Sequence, residues 1–464
     1  MSTERPNILF LMSDEHRPDV VGYEGNDVVR TPTLDWLAET GTVFSSAYTP
    51  SPICVPGRQC MMSGQLPESC GCRSYGEDLP PFSMTFARQF ARYAYRTVCS
   101  GKLHHMGQDQ MQGWTNRLAP DAAVNGRYIE GLKEEEAARY EPPPGTGKWT
   151  NEKEVKRAGI ACGRYQQFDR MALDSARMFV RRHFLDPEYD RPGSHQPTLL
   201  KLSLLQPHYP FFTDEEKFTY YLNRVPVFDE APPIEHPKLA TSQGGYNVDL
   251  NEREIRRATA AYYGMVETAD GHFGSLLESL EHAGEDLDEW IIIYTSDHGE
   301  MLGEHGIWEK TQFFEGSARV PLIIRWPERF EPSVVEQNVN LCDLFATLCD
   351  LAGIEPPDER ETVGGAGLDS RSLVPLMDGR TDQWLERHEN ESLSQVGNSH
   401  LMIKRDDLKY LYFGEMEPPR REVLFDLSRD PRETVNLVGN DKYEEQMEQF
   451  RERRKSYFHG GSGG

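Results

Sequence analysis

Short unbroken apolar runs alternate along this chain with longer stretches in which apolar residues recur every three or four positions. The runs predict strands at Asn7–Met12, Arg96–Ser100, Leu199–Leu205, Trp290–Tyr294 and Leu322–Trp326. The periodic stretches predict helices over Thr33–Thr40, Ser83–Ala94, Phe168–Arg182, Asn251–Ala283 and Leu341–Leu351. Strands that are apolar throughout, rather than every second residue, belong in a sheet covered on both faces. The expected fold is therefore α/β, a large, mostly parallel sheet sandwiched by helices. Polar residues follow four of these strands: Asp14, Lys102, His208 and Asp297. Ligands of open α/β sheets bind beyond the carboxyl ends of the strands, so these four side chains should meet at one edge.

The pattern breaks in two places. Residues 108–165 are rich in glycine, proline, asparagine and charge without clear periodicity, which reads as a loop shaping the substrate pocket. Beyond about residue 365 the segments His400–Lys404 and Leu408–Phe413 read as an antiparallel hairpin turning at Arg405-Asp406-Asp407. A charged amphipathic helix then follows from Asp441 to Tyr457. The expected organisation is a catalytic domain over 1–364, a smaller C-terminal α+β subdomain over 365–458 and a flexible tail over 459–464.

Charge narrows the function. With 50 Lys+Arg against 75 Asp+Glu the net charge is −25, which argues against nonspecific nucleic-acid binding and affinity for anionic membranes. No apolar run reaches the length of a membrane span, and Asn7–Met12 is too short for a signal-peptide core. A cytoplasmic location is expected. The eight cysteines do not form a disulfide framework, and Cys60, Cys70 and Cys72 lack the partners of a zinc site, so they read as structural thiols.

The string Cys54-Val55-Pro56-Gly57-Arg58 concentrates the candidate chemistry. Pro56 fixes its own φ and biases Val55 toward an extended conformation, putting Cys54 and Arg58 on a stiff turn. A short helix should start near Arg58 and close at Gly64, aiming free N–H groups toward Cys54. Asp14, Asp297 and His298 supply hard oxygens and one imidazole, a donor set suited to Ca²⁺, Mg²⁺ or Mn²⁺.

These residues and the blocks around them resemble the sulfatase family, whose fold is alkaline-phosphatase-like. The resemblance runs through Arg5–Phe10, Thr31–Asp35, Gly101–His104, Pro207–Pro210, Asp297–Glu300, Gly306–Lys310, Leu424–Leu427 and Asp430–Leu437. It implies that a formylglycine-generating enzyme oxidises Cys54 to formylglycine (3-oxoalanine), whose hydrate is the nucleophile. It also implies a divalent metal, Ca²⁺ or Mn²⁺, held by Asp14, Asp297, His298 and residue 54. Many sulfatases carry a second aspartate where this chain has Glu15, and asparagine where it has His298, which sets Glu15 apart from the other candidate ligands. Gly57 likewise stands where a small hydroxyl or methyl residue is common.

By the same resemblance Arg58 stabilises the hydrate, and Lys102 and Lys310 bind the sulfate oxygens. His208 with Lys310 supports departure of the alcohol, and His104 takes the proton that expels sulfate. The implied activity is hydrolysis of small aryl or alkyl sulfate monoesters, with phosphonate monoesters or phosphodiesters as the alternative, in a homo-oligomer. The likeness is to choline-sulfatase-like and phosphonate-monoester-hydrolase-like cytosolic members. Trp114, Tyr128 and Trp149 could line the pocket as aromatic walls or pack as satellite core.

Overall fold

The computed structural model describes residues 5–119, 121, 152–185, 196–228, 236, 250–416 and 421–459. Its centre is an eight-stranded sheet built from β1 (Ile8–Asp14), β2 (Thr42–Phe44), β3 (Arg96–Gly101), β4 (Asn116–Arg117), β5 (Thr198–Pro207), β6 (Ile291–Ser296), β7 (Leu322–Arg325) and β8 (Ser333–Val335). The order across the sheet is β8-β2-β7-β6-β1-β5-β3-β4. β1 lies between parallel β5 and β6, pairing Phe10 with Lys201 and with Ile293. β7 runs against both of its neighbours, so the sheet is mostly and not wholly parallel.

Both faces are covered, as the continuous apolar runs require. Along β1, Ile8, Phe10 and Met12 join one core with Phe86, Phe90, Phe345 and Leu348. Leu9 and Leu11 join the opposite core with Ala172, Ala176, Phe273 and Leu276. The first core is closed by α2 (Cys54–Ser63), α3 (Phe86–Arg92) and α6 (Leu344–Leu351), and the second by α1 (Pro32–Glu39), α4 (Arg164–Phe184) and α5 (Glu252–His282). Local chemistry sets the helix starts. The Thr85 hydroxyl accepts from Arg88 N at α3, and Asn251 with Glu254 forms a capping box at α5.

After the sheet, β9 (Glu391–Val396), β10 (His400–Arg405), β11 (Leu408–Phe413) and β12 (Glu422–Asp426) form an antiparallel sheet in sequence order, followed by α7 (Glu444–His459). The expected hairpin is β10–β11, pairing Arg405 with Leu408 across the turn. β9 and β12 extend it on either side. Among the described residues no helix is long and apolar enough to cross a membrane.

Candidate active site

Asp14 ends β1, and the positive φ of Glu15 (65°) turns the chain away at once. Lys102 follows Gly101, which has a φ of 92° and lies so close to β5 that a Cβ there would stand 2.1 Å from the Ser203 carbonyl oxygen. His208 follows β5, and Asp297-His298 follows β6. The four strand ends thus meet at one edge of the sheet, facing the start of α2.

That helix corrects the expected local structure. It begins at Cys54 rather than near Arg58, with Ile53 as its cap, so Val55 is helical rather than extended. Pro56 falls in the first turn, where a backbone N–H has no intrahelical acceptor, and its missing donor breaks no bond. Gly57 has a spatial reason. A Cβ there would lie 2.8 Å from Ser51 O and 3.1 Å from Asp297 O, so the glycine lets α2 press directly on the β6 end.

Arg58 is buried and ties the site together. Its Nε donates to Asp297 Oδ2 (2.6 Å) and Nη2 to Asp14 Oδ2 (2.9 Å), while Nη1 donates to Lys102 O and Ser203 Oγ (2.9 Å each). Lys102 Nζ adds a second ion pair to Asp14 Oδ2 at 2.5 Å. Burial opposes ionisation of Asp14, yet the cations Lys102 and Arg58 outweigh it and hold this carboxyl well below the usual range. Asp297 is pushed up by burial against Arg58. Its Oδ1 accepts the backbone N–H groups of Glu15 and His298.

The Cys54 side chain, 3% exposed, points into this cluster. Its Sγ lies 3.2 Å from His298 Nε2 and 4.0 Å from Asp14 Oδ1. Burial and Asp14 resist a thiolate, but Lys102, Lys310 and His298 bring the thiol well below its ordinary value. His298 is raised to about 9, burial being overcome by Asp297 and Cys54.

Lys310 reaches in from the segment after β6, donating to Glu15 Oε2 (2.8 Å) and His208 Nε2 (2.7 Å) beneath the Tyr209 ring. His208 Nδ1 lies 2.6 Å from Tyr209 O. With Nδ1–H donating to that carbonyl and Nε2 accepting from an ammonium, the ring is neutral. Burial and Lys310 hold it down at about 4.

His104 takes a left-handed φ of 59°, and its backbone N–H, with that of Leu103, donates to the buried Asp121 carboxylate. Among the described residues neither ring nitrogen of His104 has a hydrogen-bond partner.

Asp14, Cys54, Asp297 and His298 each offer a ligand atom, all within 4.8 Å of one another and all buried. Asp14, Glu15 and His208 form a second, overlapping group. Burial pushes the Glu15 carboxyl well above the usual range despite Lys310, and the buried Glu300 carboxyl, itself raised, lies against it. A buried surplus of carboxylate oxygen beside one imidazole fits a hard divalent cation.

Several contributors escaped the sequence reading. Ser203 could have been noticed as a polar break in an apolar run, whereas Asp121, Tyr75 and Tyr165 lie where the sequence carries no signal. Trp114 packs edge-on against Phe86 in the core, while Tyr128 and Trp149 lie outside the described residues. Cys60 and Cys70 touch at 3.5 Å in an apolar pocket with Cys72 and Cys342, as structural thiols do.

Residues 6–354 match the family model described as Sulfatase, and residues 303–458 match that of N-sulphoglucosamine sulphohydrolase, C-terminal. A choline-sulfatase of Rhizobium meliloti (strain 1021) is 32% identical, the match covering 95% of this chain and 84% of the relative. An arylsulfatase of Clostridium perfringens (strain 13 / Type A) is 29% identical over 96% of this chain and 93% of its own. The solved phosphonate monoester hydrolase of Silicibacter pomeroyi shares the fold with a TM-score of 0.75 at 19% identity, over 98% of this chain and 95% of its own.

Proposed function

This chain belongs to the sulfatase family and is a sulfuric ester hydrolase, and from that premise we propose that it cleaves aryl or alkyl sulfate monoesters with formylglycine at position 54 and a divalent metal beside it. The observation that carries this reading is the gathering of four buried metal-donor side chains with Arg58 and Lys102 paired to Asp14, and with Lys310 paired to the neighbouring Glu15. Asp14, Asp297, His298 and residue 54 would hold the metal, with Glu15 at its margin. When bound, the metal supplies the positive charge that makes a hydroxyl nucleophilic near neutral pH and offsets charge on the sulfate oxygens. The nitrogen of His298 favours Mn²⁺ over Ca²⁺, which prefers oxygen donors throughout. Formylglycine, as its hydrate, would offer one hydroxyl for attack and a second through which the aldehyde is restored.

The remaining work falls to side chains. Arg58 orients Asp14 and Asp297 and adds positive charge at the nucleophile. Lys102 and Lys310 bind and polarise the sulfate oxygens. His208, neutral and fixed by Tyr209 O, orients Lys310, whose Nζ holds the proton for the departing alcohol. His104, positioned through Asp121, accepts the proton that releases sulfate. We take residues 1–364 as the catalytic unit and 365–458 as the C-terminal subdomain, in a cytoplasmic homo-oligomer whose Cys54 is oxidised by a formylglycine-generating enzyme.

Peptide mass analysis of position 54, paired with rates on aryl sulfate, choline sulfate and phenyl phosphonate esters, tests the reading. An aldehyde mass is expected, with sulfate esters preferred, activity suppressed by a chelator and turnover abolished in Cys54→Ala. A fully active preparation carrying only the thiol overturns it. A preference for the phosphonate ester establishes the second reading instead, which the shared fold and the tetrahedral, anionic shape of both groups support.

A further inference from the structure

Two phenol rings that the reaction leaves unused pack against the histidines of this site. Tyr75, just beyond the short helix Pro67–Cys70, is 45% exposed and meets the His104 ring at 5.5 Å with an interplanar angle of 77°. Tyr165, the second residue of α4, is half-buried and meets the His208 ring at 5.9 Å and 71°. Each tyrosine therefore leans edge-to-face on one of the two histidines assigned to opposite halves of the reaction. Their hydroxyls also sense the same centre. Burial raises the Tyr75 phenol, followed by Cys54, with Lys102 and Lys310 opposing, and Tyr165 adds to the rise. Burial likewise raises Tyr165, with Lys102 opposing and Asp14 and Cys54 adding. The two phenols thus overlook one cationic floor from two sides.

With the alcohol leaving past His208 and sulfate past His104, the group attached to the ester oxygen lies against these two rings. Two aromatic walls offer polarisable faces and edges, which suit a flat π-system better than a flexible alkyl chain. Resting on the sulfate-ester reading above, we propose that Tyr75 and Tyr165 are specificity-determining residues, the walls of a slot that selects an uncharged, planar aromatic leaving group.

Binding of inert sulfonates to the metal-loaded full-length protein, measured by calorimetry, separates the possibilities without requiring turnover. Benzenesulfonate should bind at least tenfold more tightly than ethanesulfonate or 3-(trimethylammonio)propanesulfonate. That advantage should shrink below threefold in Tyr75→Ala and in Tyr165→Ala, and persist in Tyr75→Phe and Tyr165→Phe. Retained ethanesulfonate binding in the alanine variants shows that the cationic floor is intact. Equal binding of all three sulfonates by the parent protein overturns the slot while leaving the sulfate reading standing. So does tighter binding of the quaternary ammonium compound, or an undiminished aryl preference in the alanine variants. Failure of the parent protein to bind any sulfonate overturns the sulfate reading and the slot together.

Discussion

Lys310 and His208 sit 2.7 Å apart with the proton on the lysine side, because the imidazole already spends its Nδ1–H on Tyr209 O. In the proposed reaction the ammonium protonates the departing alcohol and the imidazole only aims it. Lys310→Ala should therefore lose about 10²–10⁴-fold in kcat/KM on alkyl sulfates, the usual worth of a positioned acid, and less on nitrophenyl sulfate, whose nitrophenolate needs little protonation. His208→Ala should lose less and depend less steeply on the leaving group. A leaving-group series on both variants checks this, and a steeper dependence in the histidine variant would reverse the assignment. At this scale the sequence made the charged residues legible because each follows a strand end or lies in a family block. It did not reveal which nitrogen holds which proton, since that depends on a carbonyl one residue away and an ammonium 102 positions distant. Ser203 and Asp121 stayed hidden for a similar reason. They bind backbone and guanidinium groups that meet only after folding.

The strands of the central sheet were legible as apolar runs because burial on both faces leaves no polar alternation to misread. The start of α2 was not, since the first turn of a helix tolerates proline and the string Val55-Pro56 reads equally well as extended. β2, β8 and β4 are too short to carry a pattern, and they form by adding in turn to the edges of the longer strands β7 and β3. One contact between elements makes a pH prediction. Gln59 of α2 lies 3.0 Å from Nδ1 of His105, beyond β3. Burial and Arg117 hold the His105 imidazole down at about 3, against an ordinary 6.5. The folded state thus stays neutral where the unfolded chain takes up a proton. The contribution is complete above about pH 6.5 and is lost progressively as pH falls toward 3. Between pH 7 and 4 the parent protein should lose about 3 kcal/mol more stability than His105→Gln, which cannot titrate. Denaturant unfolding of both proteins at the two pH values measures the difference, and equal losses would contradict it.

Across the whole molecule, the C-terminal sheet is bound to the catalytic edge by charge as well as by packing. Lys409 of β11 is fully buried and donates to Glu315 Oε1 (2.8 Å) and Glu433 Oε1 (2.7 Å). Glu315 opens the short turn Glu315–Ala318, and Ser317 O in that turn accepts the Gly299 N–H beside His298. Lys409→Ala would leave buried Glu433 without its cation and Glu315 with Arg319 alone, and should cost about 3–5 kcal/mol by denaturant titration. Adding Glu315→Gln and Glu433→Gln should recover part of that loss, and an unchanged midpoint in the single variant would refute the role. The side chain at position 54 has a consequence on the scale of the molecule's lifetime. At 3% exposure, at the start of a helix pressed by Gly57 against the end of β6, the sulfur offers no approach to another protein's catalytic groups. Any maturation that edits it is therefore a race against folding, won on the ribosome or soon after release. If position 54 is matured as proposed, a chain that folds first would be locked out, and the fraction of competent molecules in a preparation would follow relative rates during synthesis rather than the affinity of the finished protein.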